Sequence, residues 1–315
     1  MNQQCTYKQL INGVAVVDEE ISGKRFLWVT VLNLIITIVE ILGGLVSGSL
    51  ALLSDAFHNL GDSLSILLGY FAQLIGKRPE TERQTFGYRR AEILSAFLNA
   101  LFLIIVSVFL LIEAVKRFSS PSTIDGPVML VVAIVGLLAN LVSALLLHKG
   151  SEGSLNIKAT YLHVLSDSLS SVGVIVGALI VTIWHIDWVD PVLTIGVAVF
   201  ICFEAWPIVK QTITILMQAS PKLDYLAIQN DIVAIDDVIS VHHIHAWMID
   251  EHRIIISAHI NVLDLPISEV EPIYAEIELL LKEKYGIGHV TIQAEVARGL
   301  DEELFNTPGD TNTEN

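Results

Sequence analysis

Charge is what this sequence has least of. Only 17% of its 315 residues are Asp, Glu, Lys or Arg, against about 25% in an ordinary soluble domain, while 53% are hydrophobic and the mean hydropathy is +0.62. That balance excludes a conventional soluble domain and points to a membrane protein. Basic charge is scarcest, with 18 Lys and Arg facing 34 Asp and Glu. Nothing here would neutralise phosphates, so a nucleic-acid partner is excluded. Cysteine is nearly missing as well. Cys5 and Cys202 stand far apart with no CxxC, which excludes a disulfide framework and a thiolate zinc site. No HExxH occurs, so an intramembrane zinc protease has no support.

What the chain does have is long apolar runs. A bilayer core takes about 20 apolar residues per helix, and six stretches qualify: 26–46, 49–75, 91–116, 127–147, 157–183 and 189–210. The first follows a polar leader, 1–25, with Asp18, Glu19 and Glu20 and no small-residue cleavage site, and reads as a span and not a signal peptide. With a cytoplasmic N-terminus, the inner segments hold eleven Lys and Arg and the outer loops only Lys116 and Arg117. The bias places both termini inside.

Beyond a transport-type region at 26–212, the pattern changes to an α+β domain at 213–298. Residues 221–235 and 268–285 have helical spacing. Residues 239–249, 253–262 and 289–296 read as strands, the last two with Ile254, Ile256, Ala258, Ile260 and Val262, and Val290, Ile292, Ala294 and Val296, each set on one face. The order α-β-β-α-β suggests a ferredoxin-like domain. Residues 299–315 are polar and acidic and read as a disordered tail. Residues 220–315 carry 18 Asp and Glu against five Lys and Arg, so this part faces the cytoplasm as an acidic surface, which would gather cations or simply keep the domain soluble.

Inside the membrane the sequence places ionisable groups that cost about 2.5–3.5 kcal/mol each at a span centre. Span 2 carries His58 and Asp62, and span 5 carries His163 and Asp167. Four-residue spacing puts each pair on one helix face. Helix glue or a wet crevice explains one such pair; two at identical spacing point to function. The segments also match each other: Ser49-Leu50, seven residues, then His58-x-Leu60-x-Asp62-Ser63-Leu64-Ser65 recurs as Ser154-Leu155, seven residues, then His163-x-Leu165-x-Asp167-Ser168-Leu169-Ser170. Two three-helix repeats of inverted topology follow, with spans 2 and 5 antiparallel, His58 level with Asp167 and Asp62 with His163.

Two imidazoles and two carboxylates suit a tetrahedral dication, Zn²⁺ before Cd²⁺, Co²⁺ or Ni²⁺. Two Asp charges balance the ion. Because metal needs neutral His and ionised Asp, its binding releases protons, and metal-for-proton exchange follows. Asp55 is either a supporting ligand or a capping contact, and Asn59 and Asn140 are helix-bridging candidates. Gly44-x-x-x-Gly48 and Gly173-x-x-x-Gly177 permit close helix contact.

The run Gly43-Gly44…Ser47-Gly48-Ser49-Leu50-Ala51-Leu52-Leu53-Ser54-Asp55-Ala56-Phe57-His58-Asn59-Leu60-Gly61-Asp62, with His163-x-x-x-Asp167, resembles the cation diffusion facilitator family, most of all its bacterial zinc/cadmium/cobalt exporters. Phe86-Gly87-Tyr88-Arg89-Arg90-Ala91-Glu92, Val241-His242-His243-Ile244-His245-Ala246-Trp247 and His289-Val290-Thr291-Ile292-Gln293-Ala294-Glu295 fit too, so the resemblance spans about 25–297. It implies a homodimeric, proton-coupled antiporter of the bacterial inner membrane that exports Zn²⁺ and is not an enzyme. It implies that His58, Asp62, His163 and Asp167 form the transport site, in the His-Asp/His-Asp pattern associated with zinc. It also favours His242, His259 and Glu295 as cytoplasmic regulatory ligands, with His289 a possible addition. The loop at 148–156 is short and holds only His148, unlike the long His-rich loop of many eukaryotic relatives. A solvated sheet face or a dimer surface is the competing reading of the tail histidines. A sensor that binds zinc without moving it, and a histidine-box metalloenzyme, are the competing readings of the whole chain. The second needs many His at the membrane surface, and the spans offer two buried pairs.

Overall fold

The computed structural model describes residues 28–120, 122–151, 155–250 and 252–305, with side chains for all of these except 149–151 and 155–160. The expected leader 1–25, loop residues 152–154 and the tail from 306 onward lie outside the described residues. The chain divides into two units. One takes it through Phe71 together with Leu98–Val209, and the other takes Ala72–Phe97 with everything from Lys210.

The first unit is helical. Its elements are α1 (Trp28–Ser47), α2 (Leu50–Gly76), α3 (Ala91–Ser119), α4 (Gly126–Ser151), α5 (Leu155–Trp184) and α6 (Val189–Leu216), the last parts of α2 and α6 and the first part of α3 belonging to the second unit. Five of them contain stretches long and apolar enough to cross a membrane. The sixth, α2, is as long at 27 residues but carries Asp55, His58, Asn59 and Asp62, and these polar groups remove it from that set. Of the expected glycine contacts, Gly44 lies against Leu53 and Gly177 against Leu193, whereas Gly173 faces open space.

The start of α2 is held from far away in sequence. Gly48 takes a left-handed φ of 71° and turns the chain out of α1. The orphan amides of the new helix then meet Asp190 of α6, wholly buried: Leu50 N–H donates to Oδ2 at 2.9 Å, Ala51 N–H to Oδ1 at 3.2 Å, and the Ser49 hydroxyl to Oδ1 at 2.5 Å. Arg117 of α3 completes the knot, 3.5 Å from Asp190 and donating to the Gly48 carbonyl at 2.5 Å. Arg117, counted above only for its charge bias, fixes the helix that bears the ionisable groups.

The second unit contains α7 (Tyr225–Val233), β1 (Val238–Met248), β2 (Ile254–Val262), α8 (Ile267–Tyr285) and β3 (Ile287–Glu295). Asp224 caps α7 through Ala227 N–H at 3.0 Å, and Gly286 in the left-handed region ends α8. The sheet order is β1-β2-β3, with β1 antiparallel to β2, and β2 parallel to β3 across the α8 crossover. The order of elements is that read from the sequence. The sheet is simpler than a complete ferredoxin-like one, since no fourth strand separates β2 from β3 among the described residues. Ile256, Ala258, Ile260 and Val262 of β2 pack with Ile228 and Ile232 of α7 and Ile273, Ile277 and Leu281 of α8. Each large aliphatic chain so buried contributes about 1.5–3 kcal/mol.

One departure from a regular sheet bears on the site. His243 has a φ of 50°, and the β1–β2 register shifts between His242 and His245, which is a β-bulge. Residues 299–305, expected to begin a disordered tail, lie along this bulge. The Ile244 amide, released from strand pairing, donates to Leu304 O at 2.9 Å, and that of His243 to Glu303 O at 3.4 Å. Leu304 joins the core and Phe305 meets Tyr225 edge-on with ring centroids 4.9 Å apart. Apolar side chains and unpaired amides order a stretch whose composition alone reads as solvated.

Candidate metal centres

The four-residue spacing on α2 and α5 gives each helix a His above an Asp, and the two helices meet along those faces. His58 Nε2 lies 3.4 Å from Asp167 Oδ1, and His163 Nε2 lies 3.2 Å from Asp62 Oδ2. Within each helix the His–Asp distance is 3.9 Å. Each imidazole is thus nearer to the carboxylate of the other helix, as an antiparallel crossing demands. One ligand atom from each residue fits within 4.8 Å of all the others. Zinc bonds of about 2.0–2.2 Å place tetrahedral ligands about 3.4 Å apart, so the contacts match the edges of a tetrahedron that an ion would fill. His58 and Asp167 are buried, whereas Asp62 and His163 are partly exposed, so the cluster is closed on one side and open on the other. Asp62 Oδ2, buried, makes no hydrogen bond.

Asp55 is not among the four. It accepts from Ser170 at 3.2 Å and Ser171 at 3.4 Å, one turn beyond Asp167, and so ties α2 to α5. Asn140 donates to Ser171 at 3.4 Å and brings α4 to the same place. Asn59 reaches the other way, donating to Glu40 of α1 at 2.8 Å. Glu40 is 1% exposed and packs over Gly136, where a Cβ would stand 2.5 Å from its Oε1. Glu40 is absent from the sequence reading, although its signal was available as the sole acidic residue of the first apolar helix. Asp190 was missed too, its place at the head of α6 resembling an ordinary first-turn acid.

In the second unit the bulge at His243 decides which tail histidines meet. His242, His243 and His259 cluster, with ring centroids 5.5 Å apart for His242–His259 and 4.9 Å for His243–His259, and His245 stands 4.8 Å from His243. Glu295 joins them: its Oε2 lies 3.4 Å from His242 Nε2 and its Oε1 3.2 Å from His259 Nδ1. His242, His259 and Glu295 offer three ligand atoms within 4.8 Å. Both ring nitrogens of His242 and Oε2 of Glu295 are buried without a hydrogen-bond partner. Such orphans are costly unless something fills the space between them, and a zinc ion suits this donor set. Burial holds the His259 imidazole below its ordinary 6.5, against the opposing pull of Glu295, and so keeps it neutral for a metal. His289 is not brought here. It pairs in register with Ile255, at the far end of β3 from the Gln293–His259 pair, and its ring meets Phe86 edge-on at 6.2 Å. Alternation along β3 places it on the face of Gln293 and Glu295, but the length of the strand separates it from them.

Comparison with known proteins decides the family. Residues 27–217 match the cation efflux transmembrane domain, and residues 220–297 the cytoplasmic domain of cation efflux proteins. The chain belongs to the cation efflux, or cation diffusion facilitator, family. As a member it is a membrane transporter and not an enzyme, with membrane helices followed by a cytoplasmic α+β domain. It is 38% identical to the zinc transporter ZitB of Escherichia coli over 284 residues, 89% of each chain. It is 38% identical to the metal cation efflux system protein CzcD of Cupriavidus metallidurans, over 82% of each chain. It is 39% identical to the cadmium, cobalt and zinc/H(+)-K(+) antiporter of Bacillus subtilis, over 82% of this chain and 84% of that protein.

Proposed function

We propose that this cation efflux protein is a proton-coupled antiporter that moves Zn²⁺, and secondarily Cd²⁺, Co²⁺ or Ni²⁺, out of the cytoplasm through His58, Asp62, His163 and Asp167. The observation that supports this most is the meeting of two imidazoles and two carboxylates from different helices at tetrahedral spacing. The names of the relatives, for zinc and for cadmium, cobalt and zinc, agree with it.

Two Asp charges offset the dication, so the loaded site is close to neutral and tolerable away from water. When the ion leaves, two carboxylates and two imidazoles stand together with nothing to balance them, and protons replace the charge that was lost. The exchange is built into the ligand set. All six long helices cross the bilayer in this reading, with both termini inside the bacterial inner membrane. Asp62 lies further along α2 than His58, and His163 earlier on α5 than Asp167, so the exposed pair is the cytoplasmic one and the cluster stands open to the cell interior. The protein works as a homodimer, and an ion at His242, His259 and Glu295 regulates it.

Zinc flux into proteoliposomes tests the reading, comparing wild type with Asp62→Ala and Asp167→Ala. Both variants are expected to lose flux. Undiminished flux in both removes the site, and zinc binding without flux in the wild type favours a sensor.

A further inference from the structure

We propose that Glu302 is a further ligand of the cytoplasmic ion, and that metal binding clasps the C-terminal segment Gly299–Phe305 across β1. The proposal rests on the reading of His242, His259 and Glu295 as a metal site. Those three residues leave a tetrahedral ion one ligand short. The next carboxylate is that of Glu302, whose Oε2 lies 3.9 Å from His242 Nε2 but outside the set of atoms within 4.8 Å of one another, so an ion would have to draw it in. With Glu295 and Glu302 both engaged, two negative charges meet the dication over a His242 ring that is 1% exposed.

The segment is shaped for this place. The turn into it is held by Asn261, which donates to Arg298 O at 2.7 Å. Gly299 then adopts a φ of 71°, and any Cβ there would run into the His242 imidazole. Glycine is needed for the backbone angle and for the approach. Beyond it, Glu302 N–H donates to Gly299 O at 3.1 Å and closes a turn that presents the Glu302 side chain to His242. The bulge in β1 supplies the other half of the fastening, because the amides of His243 and Ile244 reach Glu303 O and Leu304 O in place of β2. The Glu302 side chain is about half exposed at 49%, so without an ion it is held from one side only. An ion shared with His242 would lock it. Cytoplasmic zinc would then tighten the fastening of residues 299–305 to the sheet.

Hydrogen exchange on the full chain in nanodiscs, with and without Zn²⁺, tests this at the amides of His243 and Ile244. The wild type should show at least tenfold slower exchange with zinc. Glu302→Gln, at an exposed position that folding tolerates, should show less than twofold slowing and bind the tail ion at least tenfold more weakly. His242→Ala separates the two layers of the argument. If zinc slows these amides in His242→Ala as in wild type, the three-residue site itself is wrong. If His242→Ala abolishes the effect and Glu302→Gln retains it in full, the site stands and the clasp is refuted. A wild type that binds an ion lost in His242→Ala, yet shows no change in exchange, also refutes the clasp.

Discussion

Replacing Asp167 by Asn changes the charge of the membrane cluster while keeping its shape. Asp167 is buried, 3.4 Å from His58 Nε2 and 3.9 Å from His163 Nε2. Asn fills the same space and offers a weaker oxygen ligand, but the zinc-loaded site becomes singly positive. A charge at the centre of a membrane costs about 2.5–3.5 kcal/mol on the insertion scale. At 1.4 kcal/mol per factor of ten, zinc affinity should fall by about 60- to 300-fold. The measurement is competition for Zn²⁺ against a chelating dye, in nanodiscs, with the tail site disabled by His242→Ala in both proteins. Size-exclusion behaviour and helical circular dichroism should be unchanged, which separates a lost ligand from a lost fold. An affinity within threefold of the Asp167 protein would refute the reasoning, because the carboxylate would then not be neutralising the ion.

Other consequences follow from groups around the two clusters. Asp190→Ala removes the acceptor of two α2 amides and the Ser49 hydroxyl and strands Arg117, so thermal unfolding should shift downward. Breaking a buried pair of this kind costs about 3–5 kcal/mol, and an unchanged midpoint would show that α2 is held by other contacts. Gly299→Ala forces a left-handed alanine, about 1–2 kcal/mol uphill, against the His242 ring. Proteolysis in the 299–305 stretch should become faster, and equal cleavage rates would show that the segment is not seated. His259 gives a pH dependence. Its value is lowered chiefly by burial, so the folded chain takes up its proton at lower pH than the unfolded chain does. Its contribution to stability is whole above the ordinary 6.5 and is lost as the pH falls below it. Metal-free protein should show a tail-domain midpoint that drops on acidification below about 6.5, where the unfolded chain protonates first. In His259→Gln that drop should shrink, and an identical profile in the two proteins would assign the effect elsewhere.

The parts of this molecule that were legible in the sequence are those with a local period. Apolar runs marked the membrane helices, and alternation marked β2 and β3. His and Asp four residues apart put both side chains on one face in α2 and again in α5, and the match between the segments implied that the helices cross in opposite directions. Other features depend on contacts that no window contains. Asp190 caps a helix that starts 140 residues earlier. The bulge at His243 brings His242, His243 and His259 together against simple alternation, because one residue of left-handed backbone re-aims its neighbours. His289 has the right chemistry and the right face, yet sits at the wrong end of its strand. The stretch 299–305 looks like solvated tail by composition, and only the amides freed by the bulge give it partners. Glu40 is different. A lone acid in an apolar helix was visible, and its burial against Asn59 shows that it belonged with the other intramembrane polar residues.

The most direct test of the central claim records zinc and protons together. Proteoliposomes holding a zinc dye and a pH dye, given a zinc pulse with no imposed gradient, should show proton movement opposite to zinc and proportional to it. Both signals should disappear in the Asp62→Ala and Asp167→Ala proteins. Zinc entry with no proton signal, or a proton signal that persists without the two aspartates, would contradict the account.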